Sequence, residues 1–173
     1  MTESKPLVLV VMGSDSDWPA MKETVAILRK LRIPCEARVV SAHRTPRAAH
    51  ELAAGARDAG VRCIIAAAGG AAHLAGVVAS YTTLPVIGVP MVGWALDGLD
   101  ALLSTVQMPA GIPVATVAIG KAGARNAAIL AAQMLALNDS ELAKRIEGMR
   151  DSACKAVEEK DTTVLDESRR IPE

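Results

Sequence analysis

Leu7-Val8-Leu9-Val10-Val11-Met12-Gly13-Ser14-Asp15-Ser16-Asp17-Trp18 decides how the rest of the chain is read. Leu7–Met12 is apolar on consecutive positions, the pattern of a strand covered on both faces rather than one with a wet side. Gly13 breaks the run, and the Ser and Asp residues after it suit a helix start, where a side-chain oxygen caps free N–H groups. A buried strand leading directly into a capped helix is the opening of a β-α-β unit.

The same alternation continues to the right. Further apolar runs of strand length occur at Ala37–Val40, Cys63–Ala67, Val86–Val89 and Val114–Ile119. Between the runs, helical spacing marks Trp18–Leu31, Arg47–Ala59, Ala72–Tyr81, Leu96–Thr105 and Gly123–Leu137. This predicts an α/β protein with a five-stranded parallel sheet, right-handed crossovers and helices on both faces. The expected arrangement is a flavodoxin-like three-layer α/β/α sandwich with strand order 2-1-3-4-5. Gly123–Leu137 and Ala72–Tyr81 have almost no polar face, which predicts burial all round and packing against other subunits. An Ala-rich helix chosen for propensity alone is the alternative. Asp139–Glu159 reads as a polar amphipathic helix. Residues 1–159 are expected to form one catalytic domain, and 160–173 a mobile charged tail.

Composition narrows the function. A chain of 173 residues suits one domain, and 51% hydrophobic with 22% charged residues marks a folded globular protein. Lys plus Arg balances Asp plus Glu at 19 each, so no long-range field draws the chain to nucleic acid or to an anionic membrane. Any anionic ligand must be held locally. Cys35, Cys63 and Cys154 lack metal-ligand spacing and read as reduced thiols of a cytoplasmic protein. Met1–Pro6 has no signal-peptide character. Ala127–Leu137, interrupted by Gln133, is far shorter than the roughly 20 residues a membrane helix needs.

In such sheets ligands bind beyond the carboxyl ends of the strands, so the segment after each strand matters most. After the first, the free N–H groups of the next helix and the Ser14 and Ser16 hydroxyls suit a phosphate. Asp17 suits ribose hydroxyls, and Asp15 is expected to point elsewhere; a plain helix cap would read the same way. After the second comes Ser41-Ala42-His43-Arg44-Thr45-Pro46. Pro46 suits a helix start, Arg44 offers a planar fork for phosphate, and His43 can exchange a proton near neutral pH. A lone loop histidine without such neighbours is more often solvent-facing or structural.

After the third strand, Ala68-Gly69-Gly70-Ala71-Ala72-His73-Leu74 exposes backbone N–H groups and leaves room for a flat ring. His73 either contacts substrate or caps a buried network, while His50 reads as a surface histidine. With order 2-1-3-4-5 the three loops share one rim. They predict a sugar-phosphate pocket with one titratable histidine and no metal cluster, but they leave the reaction open.

GSDSDW at Gly13–Trp18, SAHRTP at Ser41–Pro46, AGGAAHLAG at Ala68–Gly76 and VQMPAGIPVATVAIGKAGARNAAILAAQML at Val106–Leu135 carry a resemblance to a known family. Over about Leu7 to Leu137 the chain resembles the class I N5-carboxyaminoimidazole ribonucleotide mutases, the bacterial PurE family. The resemblance implies conversion of N5-carboxyaminoimidazole ribonucleotide into 4-carboxy-5-aminoimidazole ribonucleotide in de novo purine synthesis, with no cofactor, ATP or metal, by a homo-octamer. It puts the family's proton-transfer histidine on His43, its substrate-binding serine and aspartate on Ser14 and Asp17, and its phosphate-contacting arginine on Arg44. Substrate contacts are expected from Ser14, Asp15, Ser16, Asp17, Ser41, Ala42, Arg44, Gly69, Gly70, Ala71, His73 and Leu74.

In the implied reaction the N-carboxylate loses CO2 once His43 protonates its nitrogen. Ring carbon C4 then attacks the trapped CO2, and His43 as a base removes the C4 hydrogen. Gly69, Gly70 and Ala71 are consistent with the small closed space this requires. The chain departs from the family pattern at Ala67, Ala75 and Gly93-Trp94. A direct aminoimidazole ribonucleotide carboxylase, the class II relative, is the nearest alternative. Members of that class tend to show a lysine after the histidine, whereas Arg44 and Gly70-Ala71-Ala72-His73 favour class I. The other alternative is a non-catalytic flavodoxin-like module binding a nucleotide or flavin, but no Phe, one Tyr and two Trp leave few aromatic walls for a flavin.

Overall fold

Strand β1 (Val8–Met12) is buried at every position and lies inside the sheet. It pairs in parallel with β2 (Cys35–Val39) on one side and β3 (Cys63–Ala68) on the other. With β4 (Val86–Pro90) and β5 (Ala115–Thr116) the order is β2-β1-β3-β4-β5, the flavodoxin-like order expected from the sequence. The computed structural model describes residues 5–172. Residues 1–4 of the expected domain and residue 173 of the expected tail lie outside the described residues, as does the Trp94 side chain.

Successive side chains of a strand point to opposite faces, and β1 feeds two cores accordingly. Val8, Val10 and Met12 meet Met21 and Leu28 of α1 (Trp18–Lys30), the alanines of α5 (Gly120–Ala136) and Leu142 and Ile146 of α6 (Ser140–Ser168). Leu9 and Val11 meet Ala49 and Ala53 of α2 (Pro46–Gly55) and Leu74 and Val78 of α3 (Leu74–Ser80). Helix α4 (Leu99–Val106) packs on β4 and β5. There Gly88 leaves the space that Thr105 and Val114 fill. Edge strand β2 is polar at Glu36 and Arg38, which pair at 3.0 Å and blunt the open edge.

Two expectations are corrected. Strand β5 is Ala115–Thr116 rather than Val114–Ile119, because the Ala118 carbonyl is already folded against Gly123 in the turn entering α5. The helix expected over Asp139–Glu159 runs from Ser140 to Ser168, so most of the stretch expected to be mobile is helical. Asp139 caps this helix by accepting the Leu142 N–H at 2.9 Å. Within the chain α5 buries one face, Ala124, Ala127, Ala128, Ala131 and Ala132, joined to α1 where the Thr24 hydroxyl donates to the Ala124 carbonyl at 2.7 Å, while Arg125 and Asn126 are exposed.

Burial pushes the Cys63 thiol up to about 12, consistent with an inert packing residue. Among the described residues no cluster of His, Cys, Asp and Glu could hold a metal, and no helix is long and apolar enough to cross a membrane.

Candidate active site

The parallel register ends β1, β2 and β3 side by side. Gly13 N–H donates to Ala67 O at 3.0 Å and Val40 N–H to Met12 O at 2.9 Å, so the loops after the three strands leave from one level. Beyond them lies a cavity of about 700 Å³. The first loop lines it with Gly13, Ser14, Ser16 and Asp17, and the second with Ser41, Ala42, His43 and Arg44. The third contributes Ala68, Gly69, Ala71, His73 and Leu74, and the segment after β4 adds Val92 and Gly93. Two expected substrate contacts are not on the wall. Asp15 is exposed and accepts the Ser14 hydroxyl at 3.2 Å. Gly70 is buried beneath the third loop, where its φ of 61° turns the chain.

In the first loop the Ser14 oxygen accepts the Ser16 N–H at 3.3 Å and its hydroxyl at 2.9 Å, which organises the short 3-10 turn ahead of α1. Burial raises the Asp17 carboxyl above its usual 3.8; a hydrogen bond with the Ser14 backbone opposes this, and the charge of Asp15 adds to it. A carboxyl with a higher value folded than unfolded stabilises fully only below about 3.8, and that contribution is lost as pH rises through the raised value. Asp17→Asn is therefore expected to raise the melting temperature at neutral pH and to lose that advantage in acid, as scanning calorimetry at both pH values would register. Equal shifts at both would refute the assignment.

The second loop is a closed local unit. Thr45 N–H and its hydroxyl both donate to Ser41 O, at 2.9 and 3.0 Å, and the Ser41 hydroxyl oxygen accepts the Arg44 N–H at 3.1 Å. Pro46 then starts α2, where its missing N–H costs nothing. Arg44 reaches across to donate to Gly13 O at 3.2 Å, tying the second loop to the first at the cavity wall.

The third loop meets the second through two imidazoles. His43 Nε2 lies 2.8 Å from His73 Nδ1, with the rings edge to face at 86°. His50 stacks against Tyr81 at 4.5 Å, is exposed and does not line the cavity.

Residues 7–156 match the family model described as AIR carboxylase. The chain belongs to the AIR carboxylase family. It is 55% identical over 153 residues to the N5-carboxyaminoimidazole ribonucleotide mutase of Bacillus subtilis, covering 88% of this chain and 94% of that one. It is 56% identical over 157 residues to the mutase of the same name from Mycobacterium tuberculosis, covering 91% and 89%. The crystal structure of Treponema denticola PurE superposes with a TM-score of 0.81 at 29% identity, covering 91% of this chain and 98% of that one.

Within this AIR carboxylase-family site, sequence reasoning missed the residues that hold the third loop in place. Ser104 of α4 accepts the Ala72 N–H at 2.9 Å and gives its single proton to the nearer Asp100 carbonyl at 2.7 Å, with Gly70 O at 3.3 Å from the same oxygen. Beside it, the buried Thr105 hydroxyl donates to Ala101 O at 2.7 Å. Val92 was missed as well; the only signal for it was its place directly after a strand on the same sheet edge.

Proposed function

We propose that this protein is an N5-carboxyaminoimidazole ribonucleotide mutase of de novo purine synthesis, an isomerase that moves a carboxyl group from the exocyclic nitrogen to ring carbon C4. The observation that carries the reading is the identity of 55 and 56% to curated mutases over nearly their whole length. A cavity that joins an arginine, serine hydroxyls and an imidazole supports it, because these groups suit a phosphate, a ribose and a proton transfer.

In this reading Arg44 and the Ser14 side of the first loop hold the phosphate, and Asp17 accepts hydrogen bonds from the ribose. A half-buried carboxylate gains on receiving those donors, which offsets its cost in the free protein. His43 protonates the carbamate nitrogen, CO2 departs, C4 attacks it, and His43 takes back the C4 hydrogen. The proton count closes on one residue.

Assembly as a homo-octamer in the cytoplasm belongs to the same proposal. Support for assembly comes from the half-exposed apolar side chains Leu96, Leu99, Leu103 and Val106 along α4 and the turn before it, which a second copy would cover.

The test is to compare product formed from the N5-carboxylated substrate with product formed from aminoimidazole ribonucleotide plus CO2. The expected result is rapid conversion of the first and little of the second at low CO2. The reverse preference would make the protein a direct carboxylase.

A further inference from the structure

The contact between His43 and His73 does more than close the cavity wall. Two imidazoles joined nitrogen to nitrogen hold one proton between them, so one ring donates and the other accepts. Under the mutase reading, on which this inference rests, the reaction decides the direction. His43 must begin as an acid, and an imidazolium carries a proton on both nitrogens and can only donate. The bridge therefore runs from His43 Nε2–H to a lone pair on His73 Nδ1.

We propose that His73 is a positioning residue that fixes the tautomer of His43 and makes Nδ1 of His43 the single working nitrogen. His43 in its acid form holds one proton at Nε2, shared with His73, and one at Nδ1. The Nδ1 proton passes to the carbamate nitrogen as the C–N bond breaks and CO2 leaves. His43 remains as the Nε2–H tautomer with the bridge intact, so the lone pair on Nδ1 stays aimed where the proton went. After C4 bonds to CO2, that lone pair takes the C4 hydrogen and the acid form returns. Without an acceptor opposite Nε2, neutral His43 would divide between two tautomers, one of which presents an N–H where the second step needs a base.

Two features make His73 suited to this. Its ring stands edge to face against His43, and its Nδ1 lies 2.8 Å from Nε2, within hydrogen-bond reach. Its backbone is also held. The His73 N–H donates to Ala71 O at 2.8 Å, and the preceding Ala72 is anchored to Ser104 of α4 at 2.9 Å. A positioning group must itself be positioned, and the hydrogen bonds from α4 and within the loop supply that.

The tautomer can be read without substrate. The chain has three histidines, so nitrogen-15 multiple-bond correlation spectra at alkaline pH, assigned by comparison with His43→Asn and His73→Leu, resolve each ring. The expected result is His43 as the Nε2–H tautomer in the wild type and a mixture in His73→Leu. His43 found as the Nδ1–H tautomer in the wild type would overturn the proposal. In turnover, His73→Leu should lower kcat at least about tenfold with KM within a few-fold, and His73→Asn, whose amide oxygen can accept from Nε2, should recover part of the loss. Unchanged kcat in a folded His73→Leu, or Asn performing no better than Leu, would also count against it. A wild-type protein that fails to convert the N5-carboxylated substrate sinks the mutase reading instead, and the spectrum still decides the tautomer.

Discussion

His43→Asn is expected to reduce conversion of the N5-carboxylated substrate by roughly a hundred- to ten-thousand-fold, the range over which a positioned acid-base group acts. The same imidazole serves both proton transfers, so losing it removes the acid of the first step and the base of the second. KM should change far less, because the groups suited to phosphate and ribose lie on the other loops and on Arg44. Stability should hardly move. His43 is exposed, and its ring nitrogen bonds only His73 among the described residues. Single-turnover kinetics alongside a melting curve would check both halves, and near-wild-type turnover in a folded His43→Asn variant would remove this histidine from the mechanism.

Gly123→Ala should produce the largest loss of stability, and it runs against what a helix scale suggests. Alanine in place of a helical glycine ordinarily stabilises by about 1 kcal/mol. At Gly123, however, a methyl group would overlap the carbonyl of Ala118, and Val89 of β4 lies 3.3 Å from the same point. The obstructing atoms are backbone in the turn that ends β5, so they cannot swing aside as a flexible side chain would. Gly120, with φ of 68°, makes the same turn a tight one. The expected cost is about 3 kcal/mol or more, at or beyond the upper end for overpacking a core. Urea denaturation would measure it, and a stabilised variant would mean the turn relaxes freely.

That turn also shows where the sequence stopped being legible. Consecutive apolar runs identified the inner strands β1, β3 and β4, because a strand buried on both faces leaves a mark that needs no partner to be seen, whereas edge strand β2, polar at Glu36 and Arg38, was only partly covered by the run at Ala37–Val40. The end of β5 leaves no such mark, since it is set by the local approach of Ala118 to Gly123 in the first turn of α5, which an apolar run does not register. The reach of α6 beyond Glu159 was hidden for a different reason. Residues 151–172 are all exposed, and a charged solvated helix and a charged tail have the same composition.

The site divides the same way. Its three loops were readable because each follows a strand, and the topology brings neighbouring strand ends together. His43 facing His73 could not be read, since the two lie on different loops and either ring alone suits several roles. Ser104 and Thr105 looked like ordinary helix residues, and both do bond carbonyls four positions back in α4. Only the fold reveals that Ser104 also accepts the Ala72 N–H.

Ser104 occupies the same helix as Leu103, whose side chain stays half in solvent. The outer surface of α4 and the anchor of the third loop thus share one helix. A shift of α4 under a load on Leu99 and Leu103 would carry the Ser104 acceptor with it and pull on Ala72, one residue from the imidazole that faces His43.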